Sequence, residues 1–371
     1  MKVGYKVKIY PNKKQEQFLL QQVGACRYVY NYFLNLKKTT YLETGKNITY
    51  NQMSKELTKL RKDVEWLKEM QFVPLQQSLR SLDVSFNSFF RKKSKFPVFH
   101  KKSGKNSFRK VYGWSIEGNK INIAKNVSVR FRGKFPEFRQ TTLTISKDSA
   151  GNWWASTIEE QTRKQPKLKN KVLGIDVGIE TLATLSDGTK YQNINTLKKH
   201  KVKLRKAHQN LSRTQKDSKR REKARIKLAK IYQKVGFIRQ NYLHHISKAI
   251  VSKNHAIIAT EDLSVINMMK NKKLSKAISD VSWGELLRQI TYKQIWNGGK
   301  VVKVNRFFPS SKTCSKCNFI VDKLPLSVRN WDCPKCEAKH DRDINASIMI
   351  AKQARELLDV EKRTEGLAIG K

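Results

Sequence analysis

Four of the five cysteines lie between residues 314 and 336, in the pattern Cys314-x2-Cys317-x15-Cys333-x2-Cys336. Each C-x2-C pair can present two thiolates from one tight knuckle, and two knuckles close a tetrahedral zinc site. A fold that uses them in this way must bring the two knuckles onto one metal ion. Four thiolates fill the coordination shell and leave no position for water, so the expected zinc is structural. Two disulfides or a redox-active C-x-x-C pair are the competing use of these residues. They fit poorly with an N-terminus (Met1-Lys2-Val3-Gly4-Tyr5-Lys6-Val7-Lys8) that places lysines where a signal peptide needs an apolar stretch. Cys26 stands alone in an amphipathic segment and reads as a small buried apolar residue.

Around this cluster the chain changes pattern twice. Residues 3–10 alternate as a strand that stops at Pro11, and Asn12 can cap a helix from about Lys13, with Phe18, Leu19, Val23, Tyr30 and Phe33 on its buried face. A second helix is expected after Asn51, with Leu57, Leu60 and Trp66 inward. A third follows Pro74, with Leu75, Leu79, Leu82, Phe86 and Phe90 at helical spacing. From about residue 101 short strands take over: Lys120–Ile123, Ser128–Phe131, Leu143–Ser146 and Trp153–Ile158, the last two joined by a turn at 148–152. Strand 3–10 is free to pair with this basic β-module. A charged linker at 163–171 suggests a boundary near 166. Downstream, strands and helices alternate: Val172–Val177, Thr181–Leu185, a helical region over about 195–253, Ala256–Thr260, a helix near Ser282–Trp296, Lys300–Val304, and a last helix from about Asp343.

Lys and Arg total 77 against 30 acids, a formal charge of +47. Such an excess repels itself unless something anionic neutralises it, and a phosphate backbone does so with release of condensed counterions. The density peaks at 196–230, with 15 Lys/Arg and only Asp217 and Glu222 as acids. Its apolar positions (Leu204, Leu211, Ile226, Leu228, Ile231) are too few for a deep core helix. A solvated charged face or a ribosomal-type binder remains the alternative. No apolar run approaches the roughly 18 residues of a membrane span, and a cytoplasmic location is expected.

In a chain this poor in acids, three sit at the ends of apolar elements. Asp176 ends Val172-Leu173-Gly174-Ile175, Glu261 follows Ala256-Ile257-Ile258-Ala259-Thr260, and Asp343 opens a helix carrying Ile344, Ala346, Ile348 and Ile350. Singly they read as a turn residue, a strand-end acid and an N-cap. Jointly the order strand, strand, helix brings carboxylates to one rim of an α/β sheet. There they repel unless hard cations such as Mg²⁺ bridge them, and two such ions suit phosphodiester hydrolysis.

Gly174-Ile175-Asp176-Val177-Gly178, Thr260-Glu261-Asp262-Leu263 and Asp341-Arg342-Asp343-Ile344-Asn345-Ala346 resemble the three RuvC motifs of the TnpB family, transposon-encoded RNA-guided DNA endonucleases related to type V CRISPR effectors. Phe308-Pro309-Ser310-Ser311-Lys312-Thr313-Cys314-Ser315-Lys316-Cys317 resembles the entry to that family's zinc ribbon, and Gly24-Ala25-Cys26-Arg27-Tyr28-Val29-Tyr30-Asn31 its N-terminal helical motif. The match is dense from 172 to 351 and sparser before it. The chain has Ser347 where family members often carry a second alanine. The resemblance implies a multidomain α/β protein with an RNase H-like (RuvC) nuclease core at 166–305 and 341–371 and a zinc ribbon inserted at 306–340. It also implies a β-barrel-like wedge module at 1–10 and 101–165 and a helical recognition domain at 11–100. The implied catalytic acids are Asp176, Glu261 and Asp343, holding two Mg²⁺ (or Mn²⁺) ions. Asp343 is preferred to Asp341 because it directly precedes the Ile344-Asn345-Ala346 helix start. The implied partners are a guide RNA from the transposon end and double-stranded target DNA with a displaced strand, in a prokaryotic cytoplasm or nucleoid. Pairing would read the sequence while the protein holds the backbone and reads a short adjacent motif. Arg306 and Arg342 are candidates for the scissile phosphate, and Lys203, Arg205, Arg220 and Arg221 for contact along nucleic acid. Transposase-type strand transfer and a non-cleaving nucleic-acid-binding regulator are the alternative functions.

Overall fold

The computed structural model describes residues 1–102, 106–136 and 142–369, with 361–369 described by their backbone alone. The chain divides into two compact units, Met1–Thr162 and Arg163–Lys371.

In the first unit, β1 (Lys2–Tyr10) leads into α1 (Lys13–Thr44), followed by α2 (Tyr50–Asp63), α3 (Glu65–Lys68) and α4 (Phe72–Phe90). Then come β2 (Asn106–Lys110), β3 (Ser115–Glu117), β4 (Lys120–Ala124), β5 (Val127–Arg132), β6 (Leu143–Lys147) and β7 (Trp153–Glu160). Asn12 caps α1 as expected: its side chain accepts from Gln15 N at 2.9 Å while Gln15 Oε1 accepts from Asn12 N at 2.9 Å, a reciprocal capping box. The strands form one antiparallel sheet in the order β2-β6-β7-β1-β5-β4-β3, with β1 between β7 and β5. The N-terminal strand thus does join the later β-module. Where a barrel-like module was expected, no ladder joins the outer strands β2 and β3 among the described residues. Residues 103–105 and 137–141 of the expected wedge segment lie outside the described residues. Leu19, Phe33, Leu75 and Leu79 share a core with Ile121, Ile145 and Trp153.

Two aromatic expectations fail. The second helix ends at Asp63, and Val64 is extended at φ −105°, ψ 101°. This break resets the helical phase, so Leu67 is buried while Trp66 is 46% exposed. Phe90, the last residue of α4, is exposed: its ring lies against Phe89 and against Phe86 at the edge of the core rather than inside it.

The second unit begins with β8 (Lys169–Asp176), which starts inside the expected linker, then β9 (Thr181–Leu185), β10 (Lys190–Gln192), α5 (Thr196–Ser212) and α6 (Lys219–Val251). It continues with β11 (His255–Glu261), α7 (Val265–Met268), α8 (Ser275–Val281), α9 (Trp283–Trp296) and β12 (Lys300–Val304), and closes with β13 (Asn330–Asp332), β14 (Lys339–Asp341) and α10 (Arg342–Ile369). The five-stranded sheet runs β10-β9-β8-β11-β12; β8, β11 and β12 are parallel, and β9 and β10 form an antiparallel meander with β8.

Both faces of this sheet are covered, which is why its parallel strands read as apolar runs. Side chains alternate between faces along a strand. Leu173, Ile175 and Ile258 pack with Leu243, Ile246, Ile250, Trp283, Leu286 and Ile290 of α6 and α9. Val172, Ala259 and Val304 pack with Ile350, Ala351 and Ala354 of α10. Gly174 is on this second face, where α10 comes close: a Cβ there would lie 1.9 Å from the Ser347 carbonyl oxygen and 2.9 Å from Ala351 N. Only a residue without a side chain fits, so this glycine sets how near α10 lies to β8.

Candidate catalytic and metal sites

The alternation that puts Val172 and Gly174 against α10 also puts Asp176 on that face, at the carboxyl end of β8. On β11 the same count takes Ile257 and Ala259 to Glu261. Ala259 pairs with Gly174 and Thr260 with Ile175, so the two acids end adjacent parallel strands in matching register. The carboxyl edge of such a sheet is where α/β folds bind ligands. Asp343 comes to the same rim in the first turn of α10.

Asp176 is half-buried. Burial first, then the facing carboxylates of Glu261 and Asp343, push its carboxyl up to about 7, against the pull of the Val177 N–H and the Arg342 charge. The three acids therefore share one electrostatic environment. Glu261 Oε1 accepts from Ser310 Oγ at 2.8 Å. Asp343 Oδ1 accepts from Arg329 at 3.4 Å, and Arg329 also donates to Glu180 at 3.0 Å.

Asp341 has a different task. Its Oδ1 accepts from the backbone N of Asp343 (3.1 Å) and Ile344 (3.0 Å), and its Oδ2 pairs with Lys190 at 2.6 Å. Burial raises its carboxyl, but Lys190 and these amides outweigh that and hold it below its usual range. The helix-capping role that sequence allowed Asp343 belongs to Asp341.

The four cysteine sulfurs all lie within 4.8 Å of one another. Zinc–sulfur bonds of about 2.3 Å at tetrahedral angles put sulfurs about 3.8 Å apart, and Cys314–Cys336 and Cys317–Cys333 are separated by 3.7 and 3.5 Å. The cluster fits a structural zinc site, supported by Lys316 N–H donating to Cys314 Sγ at 3.4 Å. Asn345, 1% exposed, ties this ribbon to α10: its amide donates to Thr313 O at 2.7 Å and accepts from Ser315 N at 2.8 Å. The docking carries Ser310 and Arg329 to the acids. Both were missed in the sequence. Ser310 lies in the segment leading to Cys314, but nothing local marks its partner.

The basic candidates separate. Arg306 pairs with Asp262, which Lys303 also approaches at 3.3 Å. Arg342 is buried and donates to Pro325 O at 2.6 Å, while its backbone N–H donates to Arg329 O at 2.8 Å. It thereby braces the ribbon. Lys203, Arg205 and Arg220 are exposed. Arg221 donates to the carbonyls of Leu211 (3.2 Å) and Thr214 (2.9 Å), closing the end of α5. The α5–α6 hairpin is held by Leu204, Ala207 and Leu228, flanked by Leu197, Leu211 and Ile231. Cys26 is buried, and its thiol is pushed up to about 11 by that burial. Among the described residues no helix is long and apolar enough to cross a membrane.

Residues 155–272 match the OrfB_IS605 family, described as "Probable transposase", and 283–350 match the Cas12f1-like TNB domain. Residues 1–46 match a helix-turn-helix domain description, although in the structure they form a strand and a single long helix. A protein of Streptomyces pristinaespiralis named "Putative RNA-guided DNA endonuclease" is 37% identical over 94% of this chain and 88% of its own length. InsQ of Escherichia coli K12, named likewise, is 32% identical over 93% of this chain and 90% of its own. Among solved structures, the Cas12f1 chain of a complex with sgRNA and target DNA superposes with a TM-score of 0.52 at 12% identity, covering 95% of this chain and 98% of that one. That likeness is one of fold.

Proposed function

The chain belongs to the TnpB family, and from that premise we propose that it is an RNA-guided DNA endonuclease cutting phosphodiester bonds at Asp176, Glu261 and Asp343. The observation that carries this reading is the acid rim: two carboxylates at the matched ends of adjacent parallel strands and a third on the helix packed against them, with Asp176 pushed up to about 7. A site that resists ionising its own acid is suited to a cation, which relieves the repulsion. Divalent metal held there, two Mg²⁺ or Mn²⁺ ions, would supply Lewis-acid activation of water and stabilisation of the leaving oxygen. The chain's own residues do the positioning: Gly174 sets the approach of α10, Asp341 caps it, and Ser310 and Arg329 orient Glu261 and Asp343.

In this reading 166–305 and 341–371 are the RNase H-like (RuvC) nuclease domain and 306–340 the zinc ribbon. Residues 1–10 and 101–165 are the wedge, and 11–100 the recognition domain. Guide RNA and a double-stranded target with one strand displaced are the partners. Lys203, Arg205 and Arg220 face the nucleic acid, Arg306 is placed near the scissile strand, and Arg342 and Arg221 act through the fold.

Sequencing the RNA that copurifies with the protein tests this directly. A single defined species ending in a variable segment is the expected result; protein free of RNA, yet joining DNA ends, would instead support strand transfer. Occupancy of DNA with no cut products, all three acids intact, would favour a binding-only regulator.

A further inference from the structure

Between the start of α5 and the middle of α6 is a cavity of about 450 Å³ that the proposed nuclease reaction leaves unused. Its walls include Ile194, Ile238 and the ring of Tyr242, and that ring is fixed by its hydroxyl donating to Gln192 O at 2.6 Å. Polar groups also line it: Lys199, His200, Asn241 and His245. His200 Nδ1 lies 3.0 Å from the Thr196 carbonyl oxygen. A carbonyl only accepts, so Nδ1 carries the proton and Nε2 is an acceptor in the neutral ring. Thr196 is itself part of the lining and 3% exposed, and its hydroxyl has no hydrogen-bond partner among the described residues. That oxygen has almost no accessible surface, so the cavity's hydrogen-bonding edge is supplied by His200, Asn241 and His245.

Apolar walls with hydrogen-bonding groups between them suit a flat heterocycle better than a bare phosphate, which needs converging cations. Lys199 is exposed and suits a phosphate at the opening. The charge of the surroundings says what brings such a ring here. The cavity opens on the hairpin whose 196–230 stretch has 15 Lys/Arg against two acids. At the start of α5 the carboxylate of Asp280 accepts from Leu197 N at 2.9 Å, and Arg239 faces it at 3.6 Å, so its charge is offset. We propose that this cavity takes the base of one unpaired nucleotide of the bound RNA, with Tyr242 and the isoleucines against its faces and Asn241, His200 and His245 at its edge. This rests on the proposal that the protein carries RNA. An inserted base would fix the register of the RNA on the hairpin, which phosphate contacts alone do not do.

The test uses the full chain reassembled with its copurified RNA, comparing wild type with the double variant Asn241→Ala/His245→Ala, both exposed positions. Nucleotide-resolved chemical probing should find one unpaired nucleotide protected in wild type and reactive in the variant, with binding weakened roughly tenfold. An abasic substitution at that nucleotide should weaken wild type by the same factor and cost the variant nothing further. If wild type binds RNA and the variant has the same affinity and the same protection, the cavity is not a base site, while the RNA reading stands. An abasic RNA that binds wild type normally would equally overturn it, by showing that only backbone is held. If wild type carries no RNA, both readings fall together.

Discussion

At Asp176, burial and two facing carboxylates oppose ionisation, so the carboxyl is pushed from its ordinary 3.8 up to about 7. Between those values the unfolded chain has released this proton while the folded chain keeps it. Metal-free stability therefore falls as pH rises from about 4 to about 7 and levels off above. Asp176→Asn removes the charge that causes this. In metal-free protein the variant should melt higher than wild type at pH 8 and equally at pH 4, each 1 kcal/mol relieved adding roughly 2–4 °C. Scanning calorimetry at the two pH values checks it; an equal shift at both would trace the effect to packing instead. The sign fits a metal site, because a divalent cation favours the ionised acid and should stabilise wild type more at pH 8 than at pH 5.

At the scale of elements, the segment bearing the four cysteines is coupled to the acid rim through Asn345, Arg342, Ser310 and Arg329. Cys317→Ser should lower bound zinc below one equivalent by elemental analysis. It should also cut cleavage at least tenfold at saturating Mg²⁺, because Glu261 and Asp343 lose their ribbon-borne partners. Full activity in a zinc-free ribbon would uncouple the two. What the sequence made legible here was local: the cysteine spacing, the N-cap at Asn12, and the apolar runs of β8 and β11, each ending in an acid. What it hid was set by distant packing. Ser310 meets an acid 49 residues away. Arg221 looked like a free basic residue because its carbonyl acceptors appear only once α5 and α6 fold back on each other. Trp66 went astray because helical periodicity does not see the break at Val64, and β2 and β3 carry too few apolar residues to be recognised as strands.

For the whole molecule, a charge of +47 favours a polyanionic partner. Replacing Lys203, Arg205 and Arg220 together by Gln should weaken RNA binding and flatten its dependence of log K on log salt by about 2, at roughly 0.7 for each phosphate no longer neutralised. An unchanged slope would place the RNA elsewhere. In the proposed reaction the three acids on the sheet rim cut DNA chosen by the bound RNA. This is tested most directly by incubating the purified protein and its copurified RNA with Mg²⁺ and DNA matched or unmatched to that RNA, using wild type and Asp176→Ala. Matched DNA cut by wild type alone, with equal RNA bound by both proteins, is the predicted result; cleavage that persists in Asp176→Ala, or that ignores the match, would contradict it.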